Sequence, residues 1–180
     1  MNIDLSALPS PAYLIDVARL ETNLERLQAV KYAGDCKILL ALKGYAVAET
    51  FPLIRQYLDG CCAGALHEAR LAPEEFGGEL HLYSPAIVPA EAEAFLQHGH
   101  HVDFNSNAQW DAYAPRAAEL ELKLGMRCNP EYSEVATELY NPCCAGSRLG
   151  VLASEFEKHR YPGISGLHFH THCGQYQDTL

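Results

Sequence analysis

The sequence predicts an α/β fold on a mostly parallel sheet, and three observations carry that expectation. Short aliphatic runs such as Ile38-Leu39-Leu40-Ala41-Leu42 recur between polar or glycine residues, as strands buried on both faces do. Segments with apolar residues at helical spacing follow them, as Leu20, Leu24 and Leu27 illustrate. The runs arrive about every twenty residues, which suits strand–helix–strand units with crossover connections.

Taken in order, Ala12-Tyr13-Leu14-Ile15 reads as a short opening strand, and Asp16 is placed to cap the helix after it, so residues 1–30 form a first strand–helix unit. The run from Lys37 ends at Lys43 and opens onto Gly44-Tyr45. Thr50 can cap a helix carrying Leu53, Ile54, Tyr57 and Leu58, with Pro52 tolerated in its first turn. Gly60-Cys61-Cys62-Ala63 is a compact strand, followed by a helix from Leu66 to Leu71. Glu79–Tyr83 is a strand, and Pro89 starts a helix that Gly99 ends. Val102-Asp103-Phe104 follows, with Ser106 capping the next helix. Residues 121–127 form a further strand. Ser154 and Glu157 have the spacing of a capping box. The last strand spans residues 164–170. About six parallel strands fit either an open doubly wound sheet or most of an eight-stranded barrel, a complete barrel taking about 250 residues. The length, 180 residues, suits one domain over 1–180.

Composition narrows the function classes. The net charge of −10 opposes nucleic acid and favours a cationic small substrate. No apolar run reaches the roughly eighteen residues of a membrane span. The start Met1-Asn2-Ile3-Asp4-Leu5 lacks the basic and apolar segments of a secretory signal, so a cytoplasmic setting is expected. Seven cysteines, including the adjacent pairs Cys61-Cys62 and Cys143-Cys144, form neither an even disulfide framework nor a Cys-x-x-Cys metal motif. Cys36, Cys62 and Cys128 are expected as small core residues.

Four features carry candidate chemistry. Lys43 stands at the carboxyl end of its strand, where α/β enzymes place their reactive groups. A buried lysine loses hydration and becomes a free amine able to condense with an aldehyde or ketone; the plainer alternative is a packed stem with a wet head. Arg127 ends a strand in the same way and offers a donor fork to a phenolate, carboxylate or phosphate. His168, His170 and His172 alternate along one strand face, a pattern that, with Cys173, could hold zinc in a hydrolase. The stretch 129–148 is a long irregular loop, and Gly146-Ser147-Arg148-Leu149-Gly150 resembles a phosphate nest. No dinucleotide or P-loop glycine motif is present.

In order along the chain, Leu40-Ala41-Leu42-Lys43-Gly44, Leu66-His67-Glu68-Ala69-Arg70-Leu71, Gly125-Met126-Arg127-Cys128-Asn129-Pro130-Glu131-Tyr132-Ser133, Tyr140-Asn141-Pro142-Cys143 and Gly166-Leu167-His168-Phe169-His170 resemble the fold-type-III pyridoxal-phosphate decarboxylases, the alanine-racemase-like barrel family. The resemblance covers nearly all of this chain and about the amino-terminal half of such an enzyme. It implies a partial TIM-type (β/α) barrel without its last strands and carboxy-terminal β-domain. It implies that Lys43 bonds pyridoxal phosphate, that His170 stacks on the pyridine ring, that Arg127 sits near the phenolic oxygen, and that Cys173 and Gly174 lie in a phosphate-contacting turn. The implied reaction is decarboxylation of carboxynorspermidine or carboxyspermidine in polyamine synthesis. Diaminopimelate or a basic amino acid is the alternative substrate. Full-length relatives are homodimers, and the remaining cofactor and substrate contacts would follow Leu180, which makes this chain a fragment inactive alone. Two departures stand out: Gly64-Ala65 replace serines usual before Leu66, and His172 is unusual in its turn.

Overall fold

A computed structural model describes Ser6 and residues 8–171. Seven strands form one sheet in which every pairing is parallel: β1 (Leu39–Ala41), β2 (Gly60–Ala63), β3 (Glu79–Tyr83), β4 (His101–Phe104), β5 (Lys123–Asn129), β6 (Val151–Leu152) and β7 (Ile164–His168). The first five lie side by side in sequence order. On the far edge of β5, residues 124–127 pair with β7, while Cys128 and Asn129 pair with β6. α1 (Val17–Ala33) precedes β1, and the α-helices between strands are α2 (Phe51–Ile54), α3 (Leu66–Leu71), α4 (Ala92–Gln97) and α5 (Asn107–Glu119).

The α/β class holds, with one strand more than expected. β6 is only two residues long, too short to show a period. The opening strand is not formed. Residues 12–16 have no strand partner among the described residues, and Tyr13 and Leu14 are exposed. The first unit is therefore α1 alone, whose start is nonetheless set as expected: the Asp16 carboxylate accepts from the Arg19 N–H at 3.1 Å. The paired Ser154–Glu157 cap is also absent, because only short 3₁₀ turns occur there. Thr50 precedes α2 but donates its hydroxyl to Val47 O at 2.7 Å rather than capping the helix.

Pleating sorts the strand residues onto two faces. Leu80 and Leu82 of β3, Val102 and Phe104 of β4, and Leu124 and Met126 of β5 are buried toward the helices. There they meet Phe51, Ile54, Phe95, Leu96, Trp110 and Ala117 in one core. Phe104 meets Trp110 edge-on at 5.6 Å between ring centroids, and Trp110 meets Tyr161 at 5.1 Å. Ser106 starts α5 by accepting from the Gln109 N–H at 3.2 Å. Ser106→Ala should cost about 1 kcal/mol, read as a Tm lower by roughly 2–4 °C in a thermal melt.

The cysteine expectation fails for Cys36, which is exposed, while Cys61 and Cys143 are buried and Cys62 and Cys128 half-buried. Within β2 the pleat turns Cys61 to the helices, where burial pushes its thiol up to about 12, and turns Cys62 to the opposite face. All six described cysteines are free thiols. No described helix is long and apolar enough to cross a membrane.

Candidate active site

The second face of the sheet is polar. β3 contributes Glu79, His81 and Tyr83; β4 contributes His101 and Asp103, continued by Asn105; β5 contributes Gly125, Arg127 and Asn129. Register aligns them in rows: His81 with His101, Tyr83 with Asp103 and Gly125, and Arg127 with His168 of β7. Parallel pairing brings all the carboxyl ends of these strands to one rim.

Lys43 lies at that rim, two residues beyond β1. The strand stops at Ala41, whose carbonyl accepts from the Gly44 and Tyr45 N–H groups and turns the chain. The expected burial of Lys43 is not observed; its side chain is exposed because the turn lifts it off the end of the sheet. Its charge still reaches the inner face. It draws down the Cys62 thiol, which burial otherwise raises, and it acts on His170.

Arg127 is 5% exposed and spans the inner face. Its Nη1 donates to the Tyr83 hydroxyl at 2.5 Å, and the guanidinium lies 5.1 Å from the Tyr83 ring centroid. Tyr83 in turn donates its hydroxyl hydrogen bond to Asn105 Oδ1 at 2.9 Å. Burial raises the phenol's pKa while Arg127 opposes it. Among the described residues the Arg127 guanidinium makes no second hydrogen bond.

β7 ends at His168, so His170 follows the strand instead of belonging to it. Its ring lies 6.5 Å from that of His168, tilted by 54°. Burial, then the positive charges of Arg127 and Lys43, lower its pKa from the ordinary imidazole value. These influences favour the neutral ring, although the residue is exposed at the rim. Lys43, Arg127 and His170, far apart in sequence, act on one region. Cys173, Gly174 and His172 lie outside the described residues.

Among the described residues the zinc pattern does not assemble; its other members, His172 and Cys173, lie outside them. His168 Nδ1 is bonded to Asp103 Oδ2 at 3.1 Å, and no group of three or more potential ligands is arranged for a metal among the described residues. The phosphate-nest expectation also fails. The Leu149 N–H goes to Ser147 Oγ at 3.2 Å, and the Gly150 N–H goes to Asn105 Oδ1 at 3.0 Å. Asn105 also donates from Nδ2 to Arg148 O at 2.8 Å, so one buried side chain pins this loop from both directions. Gly150 has φ +92°, and a Cβ there would stand 2.9 Å from Asn129 N. Where relatives were expected to carry serines, the Gly64 N–H donates to Glu68 Oε2 at 2.7 Å, and Glu68 closes the turn into α3.

Sequence reasoning missed the centre of this face. Asp103 accepts from His101 Nε2 at 2.8 Å and from His168 Nδ1 at 3.1 Å. His101 stacks on His81 at 4.7 Å with the rings 4° from parallel, and His168 meets Tyr83 edge-on at 4.7 Å. Burial would raise the Asp103 carboxyl, but the hydrogen bonds from the two imidazoles outweigh it and hold the pKa at about 2. A signal was present: Glu79, His81 and Tyr83, then His101, Asp103 and Asn105, repeat polar residues at a period of two inside strands that a doubly covered sheet would fill with aliphatics.

No family model matches the chain. A carboxyaminopropylagmatine decarboxylase of Synechocystis sp. is 42% identical over 172 residues, covering 96% of this chain and 44% of the relative. A carboxynorspermidine/carboxyspermidine decarboxylase of Campylobacter jejuni is 39% identical over 173 residues, with 96% and 45% coverage. The chain is homologous to part of these decarboxylases. A crystal structure of the Campylobacter jejuni carboxynorspermidine decarboxylase complexed with norspermidine superposes with a TM-score of 0.83 at 35% identity, over 96% of this chain and 44% of that one. A Helicobacter pylori diaminopimelate decarboxylase superposes at 0.74 with 17% identity, a likeness of fold alone. The decarboxylase homologue thus spans less than half the length of the relatives it matches. Its sheet is the α/β architecture of the decarboxylases it superposes on.

Proposed function

We propose that this chain supplies the lysine-bearing part of a pyridoxal-phosphate decarboxylase site for a carboxylated polyamine such as carboxynorspermidine or carboxyspermidine. The observation carrying this reading is that Lys43 and Arg127 bear on the single ring of His170, in a chain 39–42% identical to two decarboxylases named for such substrates. The donor set suits the cofactor. Lys43 offers an exposed amine for the aldehyde. The neutral imidazole of His170 suits contact with an aromatic ring. Arg127, anchored at one nitrogen, offers its remaining N–H groups to the phenolic oxygen. Cys173 and Gly174 belong to the proposal as phosphate contacts.

When bound, the cofactor supplies the sink for the electron pair left behind by carbon dioxide. The chain's own residues bind and orient. Lys43 would hold the cofactor through its amine. Arg127, held against Tyr83, and His170 would orient the cofactor ring. The net charge of −10 attracts a polycation. A homodimer, a cytoplasmic setting and turnover by the longer protein rather than by this span alone are parts of the same proposal.

Pyridoxal phosphate added to the purified chain should give a near-visible absorbance band, and borohydride should fix the cofactor on the peptide containing Lys43. Lys43→Ala should remove both the band and the label. A label spread over other lysines, or an unchanged band in Lys43→Ala, overturns the assignment.

A further inference from the structure

We propose that Asp103 is a positioning residue for the cofactor site: bridging His101 and His168, it holds Tyr83 in place and, through the phenol, the guanidinium of Arg127. The inference rests on the site proposed above, since it assigns Arg127 the cofactor's ring.

The bridge occupies a slot built for it. Gly125 and Gly166 are partners in register on β5 and β7. A Cβ on Gly125 would stand 2.0 Å from Asp103 Oδ1 and 2.9 Å from His101 Nε2, so only glycine leaves room for the carboxylate and its ring partner. A Cβ on Gly166 would stand 3.5 Å from His101 Cε1, at the slot's other side. The two missing side chains open the space, and the two imidazoles fill it.

From the slot a chain of contacts runs to the rim. Asp103 Oδ2 fixes Nδ1 of His168, which defines which ring nitrogen carries the proton and how the ring is turned. The edge of that ring meets Tyr83, which is therefore held against Arg127 on one side and Asn105 on the other. Residues of β3, β4, β5 and β7 are locked together by side chains rather than by the ladder alone. His168 also acts electrostatically on His170. The carboxylate stays charged because both imidazoles bond to it, so the bridge is present throughout the neutral range. Preorganisation of this kind keeps a donor aimed without reorganisation when its partner arrives.

Two measurements separate this role from general stability. In the chain without cofactor, nitrogen NMR of the Arg127 guanidinium should show hindered rotation, as expected for a group bonded to Tyr83. Asp103→Asn should release that rotation, and Tyr83→Phe should do so directly without touching the carboxylate. In pyridoxal-phosphate titrations followed at the near-visible band, Asp103→Asn should weaken binding about tenfold in the wild-type background and less than twofold in an Arg127→Met background, the non-additivity of residues acting through one another. Unchanged Arg127 rotation in Asp103→Asn, or equal losses in both backgrounds, overturns the inference. A wild-type chain with no near-visible band but with Arg127 released by Asp103→Asn would instead sink the cofactor reading and leave the positioning link standing.

Discussion

Gly125→Ala should destabilise the fold by on the order of 3 kcal/mol or more, although alanine is a better strand residue than glycine. The backbone at this position does not demand glycine; the neighbour does. The added carbon would lie 2.0 Å from Asp103 Oδ1, far inside contact distance. The carboxylate would have to leave its bond with His101, in a half-buried setting where a charge separated from its partners is costly. Relief by moving β5 is blocked on both flanks, because β4 and β7 pair with it through residues 124–126. Gly166→Ala is the matched control. Its carbon would lie 3.5 Å from His101 Cε1, an ordinary contact, so the change should be within about 1 kcal/mol of neutral. Urea titrations of the two variants test the pair. Equal stabilities would show that the inner face yields easily and that Asp103 is not confined by its slot.

The same contrast explains what the sequence could reveal. Strand and helix positions were legible because aliphatic runs and helical spacing are properties of single elements, and Asp16 and Ser106 capped the helices expected of them. Lys43, Arg127 and His170 read as strand-end residues in the sequence; in the structure Lys43 and His170 lie two residues past β1 and β7, and Arg127 lies inside β5, two residues before its end. What escaped depends on pairs of elements. Ala12–Ile15 has the composition of a strand but finds no neighbour to pair with among the described residues. Burial of Lys43 was inferred from an aliphatic run assumed to continue to it, whereas the turn at Ala41 ends the strand first. The Asp103 bridge joins β4 to β7 across β5, and its existence depends on two glycines that in sequence look like simple interruptions. The segment 146–150 resembles a phosphate nest in sequence, but its N–H groups are spent within the chain: Leu149 gives to Ser147, and Gly150 to Asn105, which is distant in sequence.

Asp103→Asn should lower stability at pH 7 by about 2 kcal/mol, and the deficit should disappear on acidification. The sign follows from the direction of the shift. The Asp103 carboxyl titrates at about 2 in the folded protein against 3.8 for the free group, because the hydrogen bonds from His101 and His168 outweigh burial. A depressed carboxyl contributes its full stabilisation above its unfolded value, loses it progressively as pH falls through 4 and 3, and contributes nothing once the folded group also takes a proton near pH 2. The groups facing it are His101 from its own strand, His168 from β7 and, from β3, His81 and Tyr83, with Gly125 beneath; among the described residues no second carboxylate is bonded to His101 or His168. Asparagine keeps the shape and one acceptor, so it can serve one imidazole and not both, which isolates the charge from the packing. Urea stability of the wild type and Asp103→Asn, compared at pH 7, 4 and 2.5, should give a gap that narrows steadily downward. A gap of constant size across that range would mean that Asp103 stabilises by shape alone and that the two imidazoles do not depend on its charge.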